Sequence, residues 1–343
     1  MKVYASMSDH LPLAEVPSYV RRVEDLGYDG IHVAETVHDV FLTALIALQS
    51  SQRLEVRTAV ALAFPRSPMV TALAAWDLAR LSGGRFSLGL GTQVKGNIEG
   101  RYATTWSDPV GRMADYVGSL RTIFARFQDG GSLEHQGPHY RFTRLQPYFN
   151  PGPHDHPDIP ILLGGVGAEM VVLAGAVSDG LVTHPTSSLP EALDVLRTRL
   201  RRGEQSAGRS ATPLIASTQF ATGATGEAVA ADRERKRSLL AFLYATPAYR
   251  EALVLLGEAE LAETLHALSR QGRWEDLPVL LDDAVLDQLC PAAPYEGLAA
   301  LLLARYAGRA DALVVSPPED QADDTAMRVV LDQLRRAGDA GVR

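Results

Sequence analysis

The chain has 343 residues, 46% hydrophobic and 22% charged, enough for one large domain or two small ones and unlike a disordered or membrane protein. A net charge of −8 argues against nucleic acid or an anionic membrane as the main partner. Cys290 is the only cysteine, which leaves no internal disulfide and no cysteine-based metal site; with no apolar leader, the expected location is the cytoplasm.

Strand and helix patterns alternate from the first residues. Val3 to Met7 reads as strand one, followed by an amphipathic helix from Leu13 to Leu26. Strand two is Ile31 to Ala34, then a helix over Val40 to Gln49. Strand three spans Leu54 to Ala63, and Pro65 and Pro68 punctuate the loop before a helix from Met69 to Leu81. Strand four, Phe86 to Gly91, is entered by Gly83-Gly84 and left through two alternate glycines. A helix over Gly111 to Phe127 precedes strand five, Ile159 to Leu163, and a short helix over Ala168 to Ala176 leads to strand six, Gly180 to Thr183. A helix over Pro190 to Arg202, strand seven at Leu214 to Phe220, strand eight at Ala312 to Val315 and a closing helix through Met327 to Arg336 complete the order. Eight strand–helix units with no clear linker predict a (β/α)8 TIM barrel in a single domain over 1–343, rather than a doubly wound sheet.

Two segments depart from the repeat. Asp129 to Pro157, the long loop after strand four, is rich in Gly, Pro, His and aromatics, and loops of that length are more often functional than accidental. Residues 226–303 form a helical insertion between strands seven and eight, expected to cover one barrel end or to bind a partner chain.

In such barrels the active site gathers where strand C-termini open into loops. Those ends offer Ser8, Asp9 and His10; Glu35, Thr36 and His38; Ala59-Val60; Gly91-Thr92-Gln93; and Thr183-His184-Pro185. Gly164-Gly165-Val166-Gly167 follows strand five and opens a helix, where free backbone N–H groups and the positive helix end suit an anion or phosphate. A tight turn needing positive φ is the structural alternative there, and packing is the alternative for Gly89 and Gly91. Glu35, His38 and His184 are the proton-transfer candidates, because His titrates near neutrality and Glu can be brought there by burial. For His184 the alternative is a structural hydrogen bond, and for His38 a capping or solvated role. His32 is expected in the core, and His135, His139, His154 and His156 in a solvated loop without metal-ligand spacing. No hydrolase triad, His-Glu-x-x-His helix or spaced carboxylate pair occurs.

Gly27-Tyr28-Asp29-Gly30-Ile31, Ala34-Glu35, Gly84 to Thr92, Pro109 to Leu120, Gly137-Pro138-His139-Tyr140, Ile159 to Gly167 and Ala176 to Leu181 carry a resemblance. On these motifs the chain resembles the bacterial-luciferase-like superfamily and, within it, the coenzyme F420-dependent oxidoreductases. It departs from close relatives after strand four, where Asn97 and Gly100 stand in place of a His and an Arg. The resemblance implies a deazaflavin or flavin across the strand C-termini, backed by a non-prolyl cis peptide at Ala59-Val60. Gly91, Thr92 and Gln93 would line the cofactor with Thr183, and Gly164, Gly165, Val166 and Gly167 would hold its phosphate. It further implies hydride transfer with F420, most simply reduction of an activated C=C or C=N bond. FMN in a two-component monooxygenase, or a non-catalytic cofactor-binding protein, are the alternatives. It implies a second copy of the chain as partner, joined through the first barrel helices; the expected substrate is a small molecule, and the long loop and the insertion suggest a mouth roomy enough for a natural product or peptide.

Overall fold

Short β-branched and aliphatic runs, buried on both faces, set eight parallel strands in the computed structural model, which describes residues 1–340. These are β1 (Lys2–Ser6), β2 (Gly30–Val33), β3 (Glu55–Thr58, resuming at Ala61–Leu62), β4 (Phe86–Gly91), β5 (Ile161–Gly164), β6 (Gly180–Val182), β7 (Leu214–Ser217) and β8 (Ala312–Val314). Each pairs with the next, and β8 closes on β1 with Val3 opposite Leu313. The sheet is therefore a closed (β/α)8 barrel.

Helices α1 (Val16–Leu26), α2 (Val40–Gln49), α3 (Pro68–Ser82), α4 (Lys95–Gly100), α5 (Pro109–Asp129), α6 (Ala168–Val177) and α7 (Pro190–Ala207) follow the first six strands. Their ends obey local chemistry. Asp39 caps α2 by accepting from the Phe41 and Leu42 N–H groups, and Gly27 closes α1 at φ 95°, a conformation a side chain resists. Inside the barrel, Tyr4, Leu162, Val182, Ile215, Ala312 and Val314 form a compact apolar plug. Arg57 lies over the Tyr4 ring at 4.0 Å and pairs with Glu55 at 2.8 Å, which places a charged pair beside this plug.

Strand three is expected as one run and is found in two. A cis peptide at Ala59-Val60 separates the pieces. At the break the Thr58 hydroxyl donates to the Gly89 carbonyl at 2.7 Å and accepts from its N–H at 2.8 Å, replacing ladder bonds. Gly89 must be glycine here: a Cβ would stand 2.0 Å from the Thr58 carbonyl oxygen.

The Asp129 to Pro157 segment is more ordered than a solvated loop. His135–Gln136 and Arg141–Phe142 form a small antiparallel hairpin, pinned to α5 by the buried Asp115 carboxylate. Asp115 accepts from His135 Nε2 at 2.6 Å and from the His139 and Tyr140 N–H groups at 2.7 and 2.8 Å. His139 reaches Asp108, and His154 packs edge-on against Trp76 at 4.1 Å. Three of the four loop histidines are thus bound to their surroundings rather than solvated.

Between β7 and β8 lie α8 (Gly226–Tyr244), α9 (Glu251–Leu255), α10 (Ala259–Arg270), α11 (Asp283–Leu289) and α12 (Tyr295–Tyr306), with α13 (Asp324–Ala340) closing the chain. Helices α8 to α11 share a second apolar core with Leu189 and Ala192 at the head of α7. Helix α12 packs in the main core through Leu298 and Leu302. No helix among the described residues is long and apolar enough to cross a membrane.

Candidate functional site at the barrel mouth

The C-terminal ends of the strands surround a floor made by the Ala59-Val60 cis peptide. The Val60 side chain sits against two glycines: a Cβ on Gly91 would lie 2.4 Å from Val60 Cγ2, and one on Gly164 would lie 2.8 Å from Val60 Cγ1. Gly91 and Gly164 are therefore small because Val60 needs the room. Just past Gly91, Gln93 is held at φ 62°, unusual for a side chain of its size, with its Oε1 accepting from the Val94 N–H at 3.0 Å. Thr92 donates to the Gln93 carbonyl at 3.0 Å, which fixes this exit further.

The glycine loop after β5 is not a positive-φ turn, since none of its three glycines adopts positive φ. Gly165 faces Met170, whose Cγ would be 2.6 Å from an added Cβ. Gly167 is different. It caps α6 at φ −71° and ψ 141°, open to any residue, and nothing lies within 4 Å of an added Cβ. Neither backbone nor packing demands glycine there. No side chain caps α6, so the first N–H groups of a ten-residue helix point outward over bare backbone. This cradle fits a phosphorylated cofactor chain, with the Val60 floor beside it for a flat ring.

Glu35 has a structural task. Its carboxylate takes both arms of Arg66 at 2.6 and 2.7 Å and the Leu62 N–H at 2.7 Å. Arg66 also reaches Asp39 at 2.8 Å. The expectation that Glu35 carries a proton meets a carboxylate fully committed to fixing the second piece of β3 against β2. Thr183 is likewise occupied, accepting from the Ser217 N–H at 2.9 Å while its carbonyl takes the Ser217 hydroxyl at 2.7 Å.

His38 and His184 do not meet: they follow β2 and β6, four strands apart in a closed ring of eight. His38 lines a shallow pocket with Met7, Ser8, Asp9, Val33 and Ala34, and Asp39, not His38, caps α2. In that pocket partial desolvation raises the Asp9 carboxyl above its ordinary value, opposed by a hydrogen bond from Thr36 and by the nearby His10 charge. Asp9 is a carboxylate that the sequence placed among the strand ends but not among the proton-transfer candidates. His184 is half-buried, and desolvation pushes its pKa down to about 4, so it is neutral near pH 7. Its ring stacks on Tyr249 at 4.0 Å and 15°. Tyr249 belongs to the insertion, and nothing in its local sequence announces a place at the mouth. Among the described residues no group of three His, Cys, Asp or Glu side chains could hold a metal ion.

Residues 2–312 match the family model described as luciferase-like monooxygenase. An uncharacterized protein of Mycobacterium tuberculosis is 36% identical over 326 residues, covering 94% of this chain and 95% of that one. A 5,10-methylenetetrahydromethanopterin reductase of Archaeoglobus fulgidus is 26% identical over 80% of each chain. Among solved structures, the coenzyme F420 dependent tetrahydromethanopterin reductase of Methanopyrus kandleri superposes with TM-score 0.79 at 17% identity, over 98% of this chain and 99% of that one. The FMN complex of the oxygenating constituent of a Pseudomonas putida diketocamphane monooxygenase gives 0.66 at 13% identity over 97% of each. Its structural neighbours thus include a coenzyme F420 dependent reductase and a monooxygenase constituent in complex with FMN. With its closed barrel and matched sequence from residue 2 to residue 312, the chain belongs to the luciferase-like monooxygenase family.

Proposed function

We propose that this protein is a cytoplasmic F420-dependent oxidoreductase that reduces an activated C=C or C=N bond of a small organic substrate. The observation that carries the reading is Gly167, a glycine required by neither its backbone nor its neighbours, at an uncapped helix start beside the Ala59-Val60 floor. In this reading the N–H groups from Gly165 to Gly167 and the head of α6 hold the phosphate, Val166 flanks it, and Thr183 buttresses the loop from β6. Ala59 and Val60 back the ring, and Gly91, Thr92 and Gln93 border its edge. The deazaflavin supplies a hydride donor or acceptor at one ring carbon. The protein's share is to stack the substrate on that face, exclude water and handle one proton.

For that proton, Asp9 and His38 stand at one side of the mouth, while Glu35 positions the floor through Arg66. F420 is favoured over FMN because a methylenetetrahydromethanopterin reductase matches in sequence and a coenzyme F420 dependent reductase of another organism matches in fold. The family description and the FMN-bound structural neighbour keep a flavin monooxygenase as the second reading. Anaerobic fluorescence titration with F420 and with FMN tests it. Tight F420 and weak FMN binding supports the reading, and the reverse order overturns it.

A homodimer through the first barrel helices belongs to the same proposal. Leu42 on α2 and Val70 and Leu73 on α3 are exposed apolar side chains on those helices, which a second copy would cover. Sedimentation equilibrium showing a monomer at micromolar concentration would remove the dimer and leave the rest.

A further inference from the structure

His184 occurs at a place where two neighbours decide its chemistry. The Thr186 N–H donates to His184 Nδ1 at 3.3 Å, and the Thr186 hydroxyl lies 2.8 Å from the same nitrogen. A backbone amide can only donate, so Nδ1 presents its lone pair and the neutral ring carries its proton on Nε2. Thr186 is itself held, since its carbonyl accepts from the Tyr244 hydroxyl of α8 at 3.0 Å. The second constraint is Tyr249, whose ring lies nearly parallel on the imidazole and fixes its plane. Both tyrosines come from the insertion. Nε2 has no partner among the described residues, and His184 sits one strand from the glycine loop, with Val182 opposite Gly164 in the β5–β6 ladder.

We infer that Tyr249 and Thr186 lock His184 as a neutral imidazole whose Nε2–H is offered to an acceptor oxygen of a ligand in the mouth, making the insertion part of the binding site. His184 is then a hydrogen-bond donor that orients or polarises its ligand, not the proton shuttle its position alone suggests. Tyr249 and Thr186 are positioning residues acting through it. No charge is needed to keep the ring neutral: burial alone lowers its pKa, and the insertion meets it through the Tyr249 ring and, by way of Thr186, the Tyr244 hydroxyl. The acceptor oxygen belongs to the cofactor's phosphorylated chain or to a substrate carbonyl. The inference rests on the proposed function only in placing a ligand at the mouth.

The test is ring nitrogen NMR of the ligand-free full chain, with the His184 signals assigned by their loss in His184→Gln. The expected result is the Nε2–H tautomer with a titration midpoint near about 4. Tyr249→Phe should keep both, because it preserves the stack. Tyr249→Ala should admit water and move the midpoint by about a pH unit or more toward the ordinary histidine value of about 6.5. An Nδ1–H tautomer in the wild type, or an unchanged midpoint in a folded Tyr249→Ala protein, overturns the inference. These readouts use no cofactor, so they stand or fall apart from the choice of F420. Titration of His184→Ala with F420 and FMN then separates the sources. A roughly tenfold weaker Kd places the oxygen on the cofactor, and an unchanged Kd places it on the substrate.

Discussion

Val60 and Gly91 share one space: the valine's Cγ2 lies 2.4 Å from where a Cβ on Gly91 would stand. The floor of the mouth therefore depends on a missing side chain one strand away. Val60 is only half-buried, so it can give way to an added methyl group at the expense of the floor it makes. Gly91→Ala is expected to cost about 1–3 kcal/mol in urea unfolding, the usual penalty of overpacking, and to weaken cofactor binding. In Gly91→Ala with Val60→Ala the two losses should be less than additive, because the second change frees the contested space. Strict additivity would show that the two residues do not compete.

Gly167 gives the opposite pattern. An added Cβ meets nothing and the backbone is ordinary, so Gly167→Ala should leave stability within about 0.5 kcal/mol. Binding should fall by about tenfold or more, since the methyl group would enter the cradle over the α6 N–H groups. Calorimetry of unfolding beside fluorescence titration reads both quantities. A variant that binds as tightly as the wild type would mean that the phosphate lies elsewhere.

Glu35 and Arg66 form a two-armed pair with little solvent access, side-chain exposures being 6% and 17%. Glu35→Gln removes the charge that Arg66 is folded around and leaves a guanidinium in a poorly hydrated place. Loss of one partner of a buried pair costs about 3–5 kcal/mol, and the remaining Asp39 contact places the expected loss at the lower end, near 3 kcal/mol. The shape of any pH–rate profile should not change, since the carboxylate moves no proton in this reading. A profile that loses one limb in Glu35→Gln would restore Glu35 as a proton carrier.

The barrel was legible because each strand is a short apolar run followed by a helix with its own punctuation, such as Asp39, Pro68 and Gly27. What the chain hides is long-range. Val60 explains Gly91 and Gly164, and Asp115 explains Gly137, but each partner stands on a different strand or helix, 20 or more residues away. The same distance hid Tyr249, which reaches His184 from across 65 residues. Local pattern also misjudged the loop histidines: a run rich in Gly, Pro and His reads as solvated until the buried Asp115 carboxylate is seen to take His135. Glu35 was read from its position after strand two, and its bond to Arg66 became visible only in the structure.

Acid should weaken this fold before its carboxylates titrate. Burial lowers His32 to about 3, helped by the Arg57 charge, and burial lowers His184 to about 4. In the unfolded chain both titrate near about 6.5. Above that pH neither state holds the proton and the full stability is present. As pH falls from about 6.5 toward 4 the unfolded chain takes up protons that the native state refuses, so stability falls by up to about 1.4 kcal/mol per pH unit for each histidine. The carboxylates Glu24, Asp39, Glu55 and Asp115, all lowered in the fold, contribute mainly below that window, where their unfolded forms begin to protonate. Urea midpoints at pH 7, 6, 5 and 4.5 should therefore decline steadily in the wild type. The decline should flatten in His32→Gln combined with His184→Gln, and an equal slope in that double variant would assign the acid sensitivity to other groups.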